Sequence, residues 1–379
     1  MKIKVVHAVT VSKSLILLRG QINYLGNQGY HTLVICSPGK EVDEFKRREK
    51  THVKIIKMKR DISLFSDFIS LINLIVFFMK YRPHIVNAGT PKAGLLVTLA
   101  AWLTRVPIRV YTIHGLRLET AQGLKRKILM FTEKIACYCS TKIIAVSPSL
   151  RNRVIQLGIS TEDKICILGS GSGNGINFSD IDTNFEIKEE RISEEDIVLG
   201  YVGRITKDKG VEDLLECFLN LTNNYKNIKL LILGDFEKED AISNKSRTII
   251  ETHPNIIYKG FQNNPYPYYK LMDIFVFPTY REGFGNVSIE AAFMGLPVIT
   301  TNATGAIDTV IDGKTGLIYG VGNVKQLEEK IEFLIRNPEI RKKMGVEGKK
   351  RVIKEFSSER IWNELDHLYK TLLKEKGLE

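Results

Sequence analysis

The sequence has no apolar run of the length that crosses a bilayer. The longest, "ISLINLIVFFM" over 69–79, is 11 residues, against the ~20 of a spanning helix. It predicts a buried helix. The opening stretch "MKIKVVHAV" is charged and strand-like, without the apolar core of a secretory leader. Cysteine is scarce: five in 379 residues, odd in number and scattered. Cys137 and Cys139 form C-x-C, but no second pair completes a zinc spacing. The expectation is reduced thiols in a cytoplasmic protein. Low-complexity segments and short repeats are missing, which excludes a solenoid. Acidic residues are few in the first part of the chain. Residues 1–170 hold 10 Asp and Glu against 27 Lys and Arg, a net of +17, and the remainder holds 33 against 28, a net of −5. A basic half suits an anionic partner, either nucleic acid or a membrane leaflet. A solubilising excess of lysine gives the same count.

What is present is a rhythm. A chain of 379 residues exceeds one typical core and predicts two domains. Strand-like runs occur at "KIKVVHAV", "HTLVICS", "HIVNAG", "IRVYTI" and "KIIAVS", with helical patterns at 64–80, 92–104 and 123–139 between them. The second half repeats this with "DIVLGYVG", "IKLLILG", "NIIYKG", "DIFVFP" and "LPVITT". Continuous apolar strands alternating with helices predict an α/β protein with two doubly wound parallel sheets. The tail "SSERIWNELDHLYKTLLKEKG" reads as an amphipathic helix capped by Ser357 or Ser358.

The run "LGSGSGNGIN" (168–177) separates the two blocks. It is no P-loop, because Ile176 and Asn177 stand where Lys and Ser or Thr are required. Nor is it a dinucleotide fingerprint, because its glycines alternate and no helical pattern follows. It reads as a hinge or turn.

Ligands in open parallel sheets bind beyond the carboxyl ends of the strands. After "IVLGYVG" come Arg204, Lys207, Lys209 and Gly210, cations beside a helix start, which suits a pyrophosphate. After "DIFVFP" come Glu282 and Glu290, with Gly283 and Gly285 between them. The amides of Gly285, Asn286 and Val287 would point toward a ligand at a helix start. A loop carboxylate can accept hydrogen bonds from sugar hydroxyls, and one two turns on can take a ribose diol.

These stretches carry a resemblance. Glu282-x7-Glu290 inside "EGFGNVSIEAAFMGLPVI", with "GRITKDKG", "LILGD" and "TGAIDTVIDGKTGLIY", resembles the retaining glycosyltransferases of family 4. "LRGQINYL", "TPKAGLL", "YTIHGLRLET", "GLKRK" and "GSGSGNGI" are similar to a bacterial branch that builds capsular, exopolysaccharide and lipid-linked oligosaccharide chains. The resemblance implies a GT-B fold, two Rossmann-like domains facing across a cleft. It implies an acceptor-binding domain over 1–175, with the helix of about 357–379 packed back on it. A nucleotide-sugar-binding domain over 176–356 follows. By the same resemblance Arg204 and Lys209 are the pyrophosphate pair, Glu282 lies beside the donor sugar, and Glu290 takes the ribose. Gly285, Asn286 and Val287 supply helix-start amides, and His114 in "TIHG" is catalytic. Lys92 and Arg117 are assigned to the acceptor or cleft. No metal and no cofactor are implied, since side chains and a helix N-terminus serve in their place.

The first loop departs from the family. Many members have a Gly-Gly pair where this chain has "VTVSKS", so Ser12 and Lys13 are expected to contact donor or acceptor instead. UDP is the expected nucleotide and an N-acetylated hexosamine the expected sugar, with the base near "YKGFQ" (258–262). The implied partners are the nucleotide sugar, an undecaprenyl-diphosphate-linked saccharide and the inner face of the cell membrane, and not nucleic acid. Docking there would use the basic half, through Lys57, Lys59, Arg60, Lys125, Arg126 and Lys127. Two other classes share this architecture: a nucleotide-sugar 2-epimerase, and a non-catalytic subunit that binds a lipid intermediate.

Overall fold

The apolar runs form parallel strands because both their faces are covered. In "IVNAG" all five residues are buried, so no polar face breaks the run. The structure, a computed structural model, describes residues 2–59, 63–181 and 187–378. Arg60, one of the basic residues named above, lies outside them.

The chain divides into two units, Met1–Asn177 with Ser358–Glu379, and Phe178–Ser357. In the first, the order is β1 (Lys4–Ala8), α1 (Gln21–Asn27), β2 (His31–Cys36), α2 (Glu41–Glu49), β3 (His52–Ile55), α3 (Leu64–Tyr81), β4 (Ile85–Gly89), α4 (Pro91–Leu103), β5 (Ile108–Ile113), α5 (Gly123–Cys139), β6 (Lys142–Ala145), α6 (Pro148–Gln156) and β7 (Ile165–Cys166). The second holds β8 (Ile197–Val202), α7 (Val211–Asn224), β9 (Ile228–Leu233), α8 (Asn244–Thr252), β10 (Ile256–Tyr258), α9 (Tyr266–Tyr269), β11 (Ile274–Phe277), α10 (Asn286–Phe293), β12 (Val298–Thr301), β13 (Gly316–Tyr319), α11 (Val324–Arg336) and α12 (Pro338–Glu355). The last helix, α13 (Ser358–Glu375), belongs to the first unit.

The sheets run β3-β2-β1-β4-β5-β6-β7 and β10-β9-β8-β11-β12-β13, parallel throughout. Both are doubly wound. The strand order reverses between β1 and β4 in one and between β8 and β11 in the other, and these switch points open crevices for ligands.

The strands absent from the sequence reading are β3, β7 and β13, all at sheet edges. Each is only two to four residues long, too short for an apolar run to stand out, and β3 is "HVKI" with two exposed termini.

Helix α13 seals the first unit. Ile361, Leu365 and Tyr369 join Val5, Ile85 and Val110 in one buried cluster. Asn87 donates to the Tyr369 hydroxyl at 2.8 Å, and Tyr30 donates to Asp366 at 2.9 Å.

The glycine run is a built loop of this unit. Ser172 N donates to the Val146 carbonyl at 2.7 Å, and Trp362 Nε1 donates to Asn174 at 2.7 Å.

The expectation of a buried helix at 69–79 needs correction. Helix α3 runs for 18 residues and buries Ser70, Leu74 and Phe78. Leu64, Phe65, Phe68 and Met79 are exposed. Its apolar residues surround the axis, so periodicity could not tell which side meets the sheet.

Candidate functional site

In the second unit the site is built at the switch point. Strand β8 leads to Arg204 and β11 leads to Glu282. Gly210 joins the two exits. Its φ is +67°, and a Cβ there would lie 2.0 Å from the Pro278 carbonyl oxygen. Only glycine allows that approach without a backbone shift. Tyr280 N donates to the Asp208 carbonyl at 2.9 Å across the same junction.

Three cations and three carboxylates interlock there. Lys209 is 7% exposed; its Nζ donates to the Arg281 carbonyl at 3.3 Å and pairs with the Glu282 carboxylate. Arg204 Nη1 lies 2.9 Å from Glu237, and Arg281 Nη2 lies 2.7 Å from Asp208. Burial works against the Arg204 charge, but Glu237, Asp208 and Glu282 outweigh it and raise its pKa. Burial likewise opposes the Asp208 charge, yet Thr206, Lys209 and Arg281 hold its pKa below the usual carboxylate value. Each of the three cations is thus held by a carboxylate.

Glu290 sits on α10, behind the αL residue Gly285. Tyr269 donates to Glu290 Oε2 at 3.2 Å, and burial pushes the Glu290 pKa up to about 7. Gly285, Asn286 and Val287 open that helix. In the region expected near the base, Phe261 is exposed, and its amide donates to Asp235 at 3.2 Å.

In the first unit, Thr10 and Thr90 bridge β1 and β4 through a hydroxyl pair at 2.7 Å. His114 follows β5 and rests between two glycines. A Cβ on Gly173 would come within 2.7 Å of the imidazole, and one on Gly89 within 3.2 Å. Burial lowers the His114 pKa to about 4, so the ring is neutral near pH 7. Ser12 is buried and donates to Glu41 at 2.6 Å, a contact internal to the fold. Lys92 pairs with Asp67 at 2.8 Å. Lys13 is exposed and Arg117 partly so.

We expect Gly173→Ala to displace His114 and lower kcat/KM about tenfold while the protein stays folded. Steady-state kinetics with a melting curve checks this, and unchanged kinetics would remove the loop from the site.

Arg204, Lys209 and Glu282 thus gather in one cluster. Asp208, Glu237, Arg281 and Tyr269 were missed. Asp208 adjoins Lys209 in sequence and Arg281 adjoins Glu282, a local signal of charge alternation. Glu237 and Tyr269 meet their partners only through the sheet, so no spacing marks them.

Residues 182–351 match the family model for glycosyl transferases group 1, and residues 18–171 match that for glycosyltransferase family 4. The chain is 48% identical over 375 residues to the capsular polysaccharide biosynthesis glycosyltransferase CapM of Staphylococcus aureus, covering 98% of both. The chain belongs to glycosyltransferase family 4. Another relative of this glycosyltransferase is the Escherichia coli UDP-Gal:alpha-D-GlcNAc-diphosphoundecaprenol alpha-1,3-galactosyltransferase, 25% identical over 75% of each chain. Among solved structures, Anabaena HepE in complex with UDP-glucose superposes with a TM-score of 0.78 at 17% identity, over 97% of the glycosyltransferase and 99% of HepE. The two parallel-sheet units of the glycosyltransferase are thus those of the GT-B class.

Proposed function

We propose that this glycosyltransferase moves a hexose or N-acetylhexosamine from a UDP-linked donor to a lipid-linked saccharide, with retention at the anomeric carbon, in capsular or exopolysaccharide synthesis. One observation carries the donor assignment: Arg204, Lys209 and Glu282 interlock at the β8/β11 switch point, with Glu290 two turns further on. The names of the CapM relative and of the diphosphoundecaprenol-dependent relative support the pathway and the acceptor class.

The proposed step breaks the bond between the anomeric carbon and the diphosphate oxygen, and the bonding pair leaves with UDP. Arg204, Lys209 and the amides of Gly285, Asn286 and Val287 stabilise that charge. The acceptor hydroxyl attacks the same face, and its proton passes to the departing phosphate. Glu282 accepts hydrogen bonds from the sugar hydroxyls, Glu290 takes the ribose diol, and the 258–262 segment lies near the base. Acceptor binding is assigned to the first unit, with Lys13, Lys92 and Arg117. His114, being neutral, serves as a hydrogen-bond partner and not as a fixed charge.

Two experiments test this. A thermal-shift screen of nucleotide sugars should raise the melting temperature with UDP-linked hexoses or N-acetylhexosamines. No stabilisation by any nucleotide sugar would sink the donor assignment. The raised Glu290 pKa adds a pH dependence. A carboxylate accepts from both ribose hydroxyls, whereas the protonated form loses acceptor capacity. Donor affinity should therefore rise as pH increases through about 7, and Glu290→Gln should flatten that profile and weaken binding. Calorimetry from pH 6 to 8 reads it; a pH-independent wild type would remove Glu290 from the ribose.

A further inference from the structure

Tyr269 is fully buried at the end of α9, the short helix between the 258–262 segment and β11. Asn264 starts that helix by accepting from the Tyr266 amide at 3.2 Å. The Tyr269 ring is set edge-on against Phe275 of β11, with centroids 5.7 Å apart. A buried phenol packed in this way still has one polar atom to place.

That atom meets α10. The hydroxyl oxygen lies 3.2 Å from Glu290 Oε2 and 3.4 Å from the Val287 carbonyl. Val287 and Glu290 are three residues apart and so share one face of the helix. Burial and the neighbouring Glu290 push the Tyr269 pKa well up, so the phenol keeps its proton and donates it. Burial raises the Glu290 pKa and the Tyr269 bond opposes that rise. The contact therefore favours the ionised carboxylate, which only accepts.

Among the described residues, Tyr269 is the one hydrogen-bond partner of the Glu290 carboxylate. Glu290 keeps part of its surface exposed. A carboxylate oxygen has two lone pairs, so Oε2 can accept from Tyr269 and from a ligand hydroxyl together. A free Glu side chain loses rotamer freedom when it grips a ligand. One that is already held loses less, and binds more tightly for it.

We propose that Tyr269 is a positioning residue: its hydroxyl holds the Glu290 carboxylate in place for the ribose diol and so sets a preference for ribonucleotides over deoxyribonucleotides. A site built to bond a substrate hydroxyl rejects the analogue that lacks it, because its own polar group is then left unpaired. A Phe at position 269 would keep the ring against Phe275 and leave the carboxylate unaimed. The inference rests on the proposed ribose role of Glu290 and adds the group that orients it.

Calorimetric titration with UDP and with 2′,3′-dideoxy-UDP tests it, on the full chain and on its Tyr269→Phe, Glu290→Gln and doubly substituted variants. The wild type should bind UDP more tightly than the dideoxy compound. Tyr269→Phe should weaken UDP binding about tenfold and leave the dideoxy affinity unchanged. In the Glu290→Gln background the same change should add no further loss, since the carboxylate it aims is gone. If Glu290→Gln loses UDP affinity while Tyr269→Phe binds as wild type does, this inference falls and Glu290 stays on the ribose. Equal weakening of both ligands in Tyr269→Phe would also overturn it, by showing a general role in the fold. Unchanged UDP affinity in Glu290→Gln would remove Glu290 from the ribose and the role of Tyr269 with it.

Discussion

Lys209→Ala is expected to lower kcat/KM by roughly 30- to 1,000-fold, the equivalent of about 2–4 kcal/mol for one preorganised electrostatic contact at developing charge. The size follows from the setting. Lys209 is nearly buried and held by the Arg281 carbonyl and the Glu282 carboxylate, so its ammonium needs little reorganisation when the diphosphate departs. Arg204→Ala should fall at the lower end of that range. Arg204 is 42% exposed and bound to Glu237, so water screens it and it must leave that partner to reach the phosphates. Steady-state and single-turnover kinetics separate binding from chemistry. Near-wild-type turnover in both variants would show that the leaving group is stabilised elsewhere.

Glu282→Gln is expected to have two effects of opposite sensitivity to ligand. Transfer should drop strongly, because the carboxylate proposed to orient the donor sugar is gone. The free enzyme should also lose about 1–3 kcal/mol of stability, because removing one member of a largely buried ion pair leaves the other charge unpaired. Glu282 keeps 22% side-chain exposure, which holds this loss below that for a fully buried pair. A bound diphosphate restores a counter-charge to Lys209. The rise in melting temperature on adding UDP, which makes no sugar contact, should thus be larger in Glu282→Gln than in wild type at equal ligand concentration. Calorimetric melting with and without ligand reads the difference. A variant that melts and turns over as wild type does would detach Glu282 from both Lys209 and the sugar.

Charge placement and strand ends were legible in the sequence because each is local. Arg204, Lys209 and Glu282 stand just beyond apolar runs, with Glu290 in the helix that follows, and parallel sheets put ligands at those ends. The partners that hold these groups were not legible. Glu237 meets Arg204 across 33 positions, and Tyr269 meets Glu290 across 21; such pairings exist only once the strands are in register. Ser12 is held in the same way, since the fold brings Glu41 to its hydroxyl across 29 positions.

The alternation of continuous apolar runs with helical segments determined, unaided, a two-unit α/β protein. Burying both faces of each strand requires helices on each side. The basic bias of the first half was equally explicit. Only the tertiary structure decided where that bias and the apolar residues of α3 point. An apolar helix carries no record of which side meets its sheet, and packing of Leu74 and Phe78 inward left Phe65 and Phe68 in solvent. The titration of His114 and Glu290 depends on the tertiary structure in the same way. The neutral ring of His114 and the raised pKa of Glu290 come from protein density gathered around them by distant segments, and desolvation of that kind has no local sequence signature.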